Sequence, residues 1–141
     1  MGMRVWVAGL MLTGAALSGG CATAPGPGAA PLPPAKTLQA ADLPSLTGEW
    51  VGRIKGKPLT GAPTYSATAR VTIARDGSFT ANVDGQPGAG QASIQGGTIV
   101  FAGSILRGSA RLHEGDGRRV LAGEGQLVGR EGEATFELAR R

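Results

Sequence analysis

Residues 66–83 read SATARVTIARDGSFTANV, and this stretch decides the fold of the chain. Up to Ile73, apolar residues alternate with polar ones, and alternation of period two is typical of a β-strand with one buried face. Arg75-Asp76-Gly77-Ser78 then interrupts the pattern, and Asp-Gly favours a tight hairpin because glycine accepts positive φ. From Phe79 the alternation resumes. The stretch therefore predicts a β-hairpin whose inner face consists of small and branched apolar side chains.

The same pattern continues on both sides of this hairpin. Upstream, Trp50, Gly52 and Ile54 share one face of a first strand. Downstream, glycine-containing turns separate further alternating runs: Asp84-Gly85-Gln86-Pro87-Gly88, which we expect to form a longer turn, Gly96-Gly97, Glu114-Gly115-Asp116-Gly117 and Arg130-Glu131-Gly132. Residues 46–141 thus predict about eight short strands joined mostly by hairpins.

Eight antiparallel strands in a meander can close into a barrel, which removes the unpaired strand edges. We therefore predict an all-β domain over residues 46–141, a small antiparallel up-and-down eight-stranded barrel. The alternative is an open meander or a β-sandwich in which the strand over 119–128 bends at its glycines. Seven predicted inward positions are alanines: Ala67, Ala69, Ala81, Ala92, Ala110, Ala122 and Ala134. Such small residues leave either a ligand cavity or a flattened, filled barrel, and the sequence leaves both open.

Gly48-Glu49-Trp50 opens the domain with a G-x-W tripeptide that resembles the lipocalin and avidin superfamily of small barrels. The resemblance implies that Trp50 closes one end of the barrel and that an arginine from a late strand packs on it. Arg140, or alternatively Arg130, would make this cation–π contact. The aromatic residues of an avidin biotin site and the lipocalin disulfides have no counterparts here, so the likeness concerns architecture and not a ligand. An ordinary core position is the other interpretation of Trp50.

The N-terminal segment has the parts of a secretory signal peptide over residues 1–20. Arg4 supplies a positive charge, residues 5–17 carry none, and small residues follow up to Cys21, the only cysteine of the chain. The apolar run is shorter than the ~20 residues that span a bilayer.

Leu17-Ser18-Gly19-Gly20-Cys21 resembles the lipobox of bacterial lipoproteins, with the leucine one position earlier than in that pattern. The resemblance implies cleavage before Cys21, a thioether-linked diacylglycerol on its sulfur and an amide-linked acyl chain such as palmitate. Two or more acyl chains make a stable anchor. Because Ala22 is not aspartate, the resemblance also implies the periplasmic face of the outer membrane. A free thiol or an interchain disulfide is the alternative for Cys21, and no cofactor is expected beyond the covalent lipid.

Residues 21–45 read as a Pro/Gly/Ala-rich linker, since six of the nine prolines lie between Pro25 and Pro44. This composition favours extended polyproline II conformations and buries no core. At ~3.1 Å per residue the linker would reach roughly 70 Å at most.

The sequence offers little for catalysis. His113 is the only histidine, without the further ligands of a zinc site, and we expect it to face solvent on a strand. The carboxylates of Glu131, Glu133 and Glu137 alternate with apolar residues, which is typical of a solvated sheet face rather than of a glycosidase pair. We therefore expect a protein that is not an enzyme.

The net charge of the full chain is +4, and the adjacent basic pairs are Arg118-Arg119 and Arg140-Arg141. These pairs either solubilise the surface or contact anionic lipid headgroups or polysaccharide phosphates. An exported location argues against nucleic acid. The sequence favours a module that docks on or inhibits an envelope protein. The alternative is a lipocalin-like carrier of a small apolar ligand.

Overall fold

The computed structural model describes residues 31–141, so the predicted signal peptide and Cys21 lie outside the described part of the chain. This part contains nine β-strands and one 3-10 helix. In chain order they are β1 (Ala35–Lys36), the 3-10 helix (Ala40–Leu46), β2 (Gly48–Lys57), β3 (Tyr65–Ile73), β4 (Ser78–Val83), β5 (Gln86–Gln95), β6 (Thr98–Gly103), β7 (Leu106–Gly115), β8 (Arg118–Leu127) and β9 (Glu133–Arg140). No helix among residues 31–141 is long and apolar enough to cross a bilayer.

Strands β2 to β9 form a closed barrel. Each pairs antiparallel with the next strand along the chain, and β9 pairs back with β2, where Trp50 lies opposite Arg140. Closure satisfies the backbone groups that an open sheet would leave at its edges. The predicted eight-stranded up-and-down barrel is confirmed, and the open meander and sandwich alternatives are wrong.

Two-residue turns join several of the strands. Asp84 and Gly85 both have positive φ, of 49° and 85°, and Asp116 and Gly117 have 51° and 71°. Positive φ at both central residues is the type I′ geometry, whose twist matches that of the flanking strands. Because such a turn reverses the chain in two residues, β5 already begins at Gln86, and the longer turn expected over 84–88 is wrong.

The barrel has two distinct ends. We call the end where β2 begins the closed end; it carries the turns over 74–77, 96–97 and 116–117. We call the opposite end the mouth; it carries the loops over 58–64, 84–85, 104–105 and 128–132.

The segment upstream of β2 packs on the closed end. Strand β1 pairs with β7 beyond the point where β6 begins, with Ala35 opposite His113. Leu38 is buried and its N–H donates to the Gly97 carbonyl at 3.2 Å, and Leu46 is fully buried at the end of the 3-10 helix. The packed structure thus begins upstream of residue 46, where the sequence analysis places the start of the domain.

Side chains fill the middle of the barrel. Phe79, Phe101 and Phe136 come from three different strands and meet edge to face, with ring centroids 5.4 and 6.1 Å apart. Six of the seven alanines predicted to point inward are buried, but Ala122 is not. It pairs with the exposed Arg111 on the outer surface, because its neighbour Leu121 takes the inward position.

Candidate functional site

Trp50 lies at the closed end and has no exposed surface. Its indole Nε1 donates to the Leu46 carbonyl at 2.9 Å, so the last residue of the 3-10 helix satisfies the polar atom of a buried ring. The cation over the ring is Arg119 of β8, whose guanidinium carbon lies 5.8 Å from the ring centroid. The stacking that the sequence analysis assigned to Arg140 or Arg130 is therefore made by Arg119.

Arg140 nevertheless reaches the same end of the barrel. Its Nη1 donates to the Ser45 carbonyl at 3.4 Å, and Arg119 Nη1 donates to the same oxygen at 2.9 Å. The Arg140 guanidinium also lies against Gly48. Two arginines from neighbouring strands thus bind one carbonyl of the 3-10 helix, which fixes that helix over the closed end.

Arg130 lies at the mouth, where its guanidinium carbon is 4.6 Å from the centroid of the Tyr65 ring. That ring lies directly over Gly56, at which a Cβ atom would come within 2.0 Å of it. Glycine at this position is therefore required for the tyrosine to fold across the barrel wall. The pair of Tyr65 and Arg130 stabilises the loop over 128–132 next to the start of β3.

Two of the large apolar side chains of the mouth are exposed to solvent. Leu59 is 78% exposed and Val128 is 47% exposed. Their loops touch, since Gly132 packs against Lys57 and Pro58, where an added Cβ would lie 2.3 Å from the Lys57 carbonyl oxygen. An open groove of about 490 Å³ at the same end of the barrel is lined in part by Lys57 and Tyr65, and its lining does not include Leu59 or Val128.

A second open groove, of about 570 Å³, runs along the outer face of β6 to β9 near the mouth. Its lining includes Val100, Arg107, Ser109, Glu124, Gln126 and Thr135, which mixes both charges with apolar surface. Solvent-exposed loops and grooves held on a rigid barrel are where small scaffolds commonly bind partners.

His113 does not face solvent as expected. It is half-buried on β7, and its Nδ1 lies 2.8 Å from the Pro33 carbonyl. A carbonyl oxygen only accepts, so Nδ1 carries the proton in this contact. The histidine therefore holds the N-terminal segment against the barrel, which the sequence did not show because Pro33 is 80 residues away along the chain.

Of the acidic residues singled out in the sequence, Glu133 lines both of the grooves near the mouth. Glu131, Glu133 and Glu137 are exposed, as expected for a solvated face. Within residues 31–141, no group of three or more acidic, histidine or cysteine side chains is placed to hold a metal ion.

A comparison with known protein families and with curated proteins finds no match for this chain.

Proposed function

We propose that this chain is a lipoprotein held by lipid on Cys21 at the periplasmic face of the bacterial outer membrane. Its barrel is a non-enzymatic module that docks on or inhibits another envelope protein through the mouth. The lipobox-like segment and the single cysteine after it support the anchor.

The exposure of Leu59 and Val128 on touching loops is the observation that carries the docking proposal. A single exposed apolar residue is ordinary on a protein surface, but neighbouring ones favour an interaction site. The loop that carries Val128 is held by backbone hydrogen bonds from Val128 to Ile105 and from Arg130 to Leu127, so this part of the surface is ordered before a partner arrives. Such ordering reduces the entropy cost of association.

The packing of the barrel interior supports docking over ligand carriage. The three contacting phenylalanines occupy the space that a lipocalin-like carrier would use for its ligand, and the inward residues around them are buried. Apolar surface is instead available at the mouth.

Photocrosslinking in living bacteria tests the proposal. A photoreactive amino acid placed at Leu59 or at Val128 should capture the same envelope protein. The same group at Thr80, which is exposed on the outer face of β4, should not capture it. Equal capture at all three positions, or none, would contradict a docking mouth. In that case the protein would be purified from membranes and examined by native mass spectrometry. An additional small-molecule mass that disappears on denaturation would support the alternative function, a carrier of a small apolar ligand.

A further inference from the structure

A separate pocket lies on the outer surface of the barrel at the closed end, away from the mouth. Strands β8 and β9 border an open pocket of about 270 Å³. Its floor is formed by Val120 and Ala139, which lie opposite each other in the ladder. Val120 points out of the barrel, since Leu121 points in, yet it is only 4% exposed. Ala139 is exposed, so it supplies most of the apolar surface that the floor offers to a ligand.

Four arginines line this pocket, namely Arg118, Arg119, Arg140 and Arg141. Continuing the register from Val120 and Ala139 places Arg119 opposite Arg140 and Arg118 opposite Arg141. The guanidinium groups of Arg119 and Arg140 turn to the Ser45 carbonyl, so Arg118 and Arg141 are the arginines whose cationic groups remain for the outer surface.

Among the described residues, the acidic groups nearby form an ion pair with only one of these arginines, Arg119. The Glu114 carboxylate lies 3.5 Å from Arg119 Nε and 3.9 Å from Lys36 Nζ. Despite that proximity, Arg119 Nε is buried and has no hydrogen-bond partner in the described part of the chain. Asp116 is exposed in the adjoining turn. Neither Arg118 nor Arg141 forms an ion pair with another described residue. The rim therefore keeps an excess of positive charge with unused donors.

This combination fits one class of ligand. A planar guanidinium matches the geometry of a phosphate group and binds it through two hydrogen bonds. An apolar floor beneath the rim favours a phosphate that is attached to an apolar body, such as the glycerol and first methylenes of a lipid, over a free ion. The chain upstream of β1 also leaves the barrel at this end, because Pro33 lies against Gly115 and His113.

We propose that this pocket binds the phosphate of an anionic lipid headgroup. Arg118 and Arg141 hold the phosphate oxygens, and the exposed Ala139 contacts the glycerol region. The proposal concerns the closed end alone and would stand if the mouth bound nothing.

Vesicle flotation of the full chain tests this binding. Phosphatidylcholine vesicles are compared with vesicles that contain 30 mol% phosphatidylglycerol, roughly a bacterial proportion of anionic lipid. Any membrane affinity of the N-terminal segment is present with both vesicles, so the ratio of the two affinities reports the headgroup. Each arginine at a membrane surface contributes about a fivefold gain in affinity. The Arg118→Gln, Arg141→Gln double variant lacks two such arginines. Its ratio of affinities for the two kinds of vesicle should therefore fall by about 25-fold.

The matched control is the Arg53→Gln, Lys55→Gln double variant, which removes two positive charges from exposed positions on β2. It should keep the preference for phosphatidylglycerol, and unchanged melting temperatures would show that both double variants fold. An equal loss in the control would overturn the pocket in favour of general attraction. Absence of any headgroup preference would overturn the proposal entirely. Displacement from these vesicles by inorganic phosphate but not by chloride at equal ionic strength would support recognition of the phosphate group, whereas binding of inorganic phosphate without any preference for phosphatidylglycerol would show that the pocket takes free phosphate and not lipid.

Discussion

The Arg119 guanidinium carbon lies 5.8 Å from the centroid of the Trp50 ring, although the two residues belong to strands that do not pair with each other. The register partner of Trp50 is Arg140 on β9, the strand between them. An arginine side chain is long enough to pass over the end of one strand and stack on the next. The contact ties β8, β2 and the 3-10 helix together, since Arg119 also binds the Ser45 carbonyl.

Replacing Trp50 should strongly destabilise the barrel. The Trp50→Ala variant loses a fully buried aromatic side chain and the hydrogen bond to Leu46, and we expect a loss of ~3–5 kcal/mol in the free energy of unfolding. Urea denaturation measures it. Val51→Ala, on the outer face of the same strand, is the matched control and should cost far less. Near-equal losses would remove the role of Trp50 in closing the barrel.

Arg119 and Arg140 should differ in their contribution to stability. Arg119→Met removes the cation–π contact and the shorter hydrogen bond to Ser45, and we expect a cost of about 2 kcal/mol. Arg140→Met removes only a 3.4 Å hydrogen bond and should cost less than about 1 kcal/mol. Urea denaturation of the two variants side by side gives the order. A larger loss of stability in Arg140→Met than in Arg119→Met would show that Arg140 is the arginine that mainly stabilises the closed end.

The N-terminal segment should contribute to stability as part of the domain. Leu38 is 2% exposed, so Leu38→Ala should lower the free energy of unfolding by about 2–3 kcal/mol. Leu32, which is 36% exposed six residues earlier, is the control, and Leu32→Ala should have little effect. If thermal unfolding of the Leu38 variant matched that of the Leu32 variant, the segment would be a passive linker.

The proposed anchor makes a simple prediction about fractionation. Cys21→Ser removes the thiol that would carry the lipid, so the protein should move from the membrane fraction to the soluble one. Ser18→Ala keeps the cysteine and should remain in the membrane fraction. Membrane association of Cys21→Ser at the level of the unmodified chain would rule out anchoring through Cys21.

The turn between β3 and β4 should give stability that depends on pH. Hydrogen bonds from the Ser78 hydroxyl and backbone N–H, at 2.6 and 2.9 Å, hold the pKa of the Asp76 carboxyl below its ordinary value of 3.8. A lowered folded-state pKa means that this stabilisation is complete above the ordinary value and is lost as the pH falls through the folded-state pKa. Asp76→Asn should therefore unfold more easily than the unmodified chain at pH 7, with the difference shrinking in acid.

Denaturation curves at several pH values measure that difference. A gap between Asp76→Asn and the unmodified chain that stayed constant into acid would contradict the carboxylate as its source.

The strands could be predicted where side chains alternate without interruption. Residues 65–73 and 133–140 show one buried residue in every two over most of their length, so period two gives both the strand and its inner face. Strand β8 was harder to orient. Its glycines, Gly123 and Gly125, have no side chain to reveal a face, and Leu121 and Ala122 compete for the inward position. Packing of Leu121 against the core decided between them.

The contacts of the closed end could not be predicted from the sequence. Leu38 lies in a stretch where leucines, alanines, prolines and polar residues alternate without a regular period, so no pattern reveals that its side chain is buried. The choice between Arg119 and Arg140 depends on how long side chains pass over strand ends, which the register does not determine. At the mouth, the contact between the loops over 58–64 and 128–132 follows from barrel closure and is invisible in either loop alone.

The packing of the N-terminal segment shortens the free part of the proposed tether. It would therefore raise the local concentration of an anchored barrel near the membrane. A chain tethered at Cys21 and free to residue 46 would reach roughly 70 Å, but one already fixed to the barrel at Pro33 has eleven intervening residues and reaches only about 35 Å. Because the accessible volume scales with the cube of the reach, encounters are confined to a volume about eight times smaller. If lipid on Cys21 anchors the chain as proposed, partners on the same membrane would be favoured accordingly, and those farther away would lie beyond the reach of the chain.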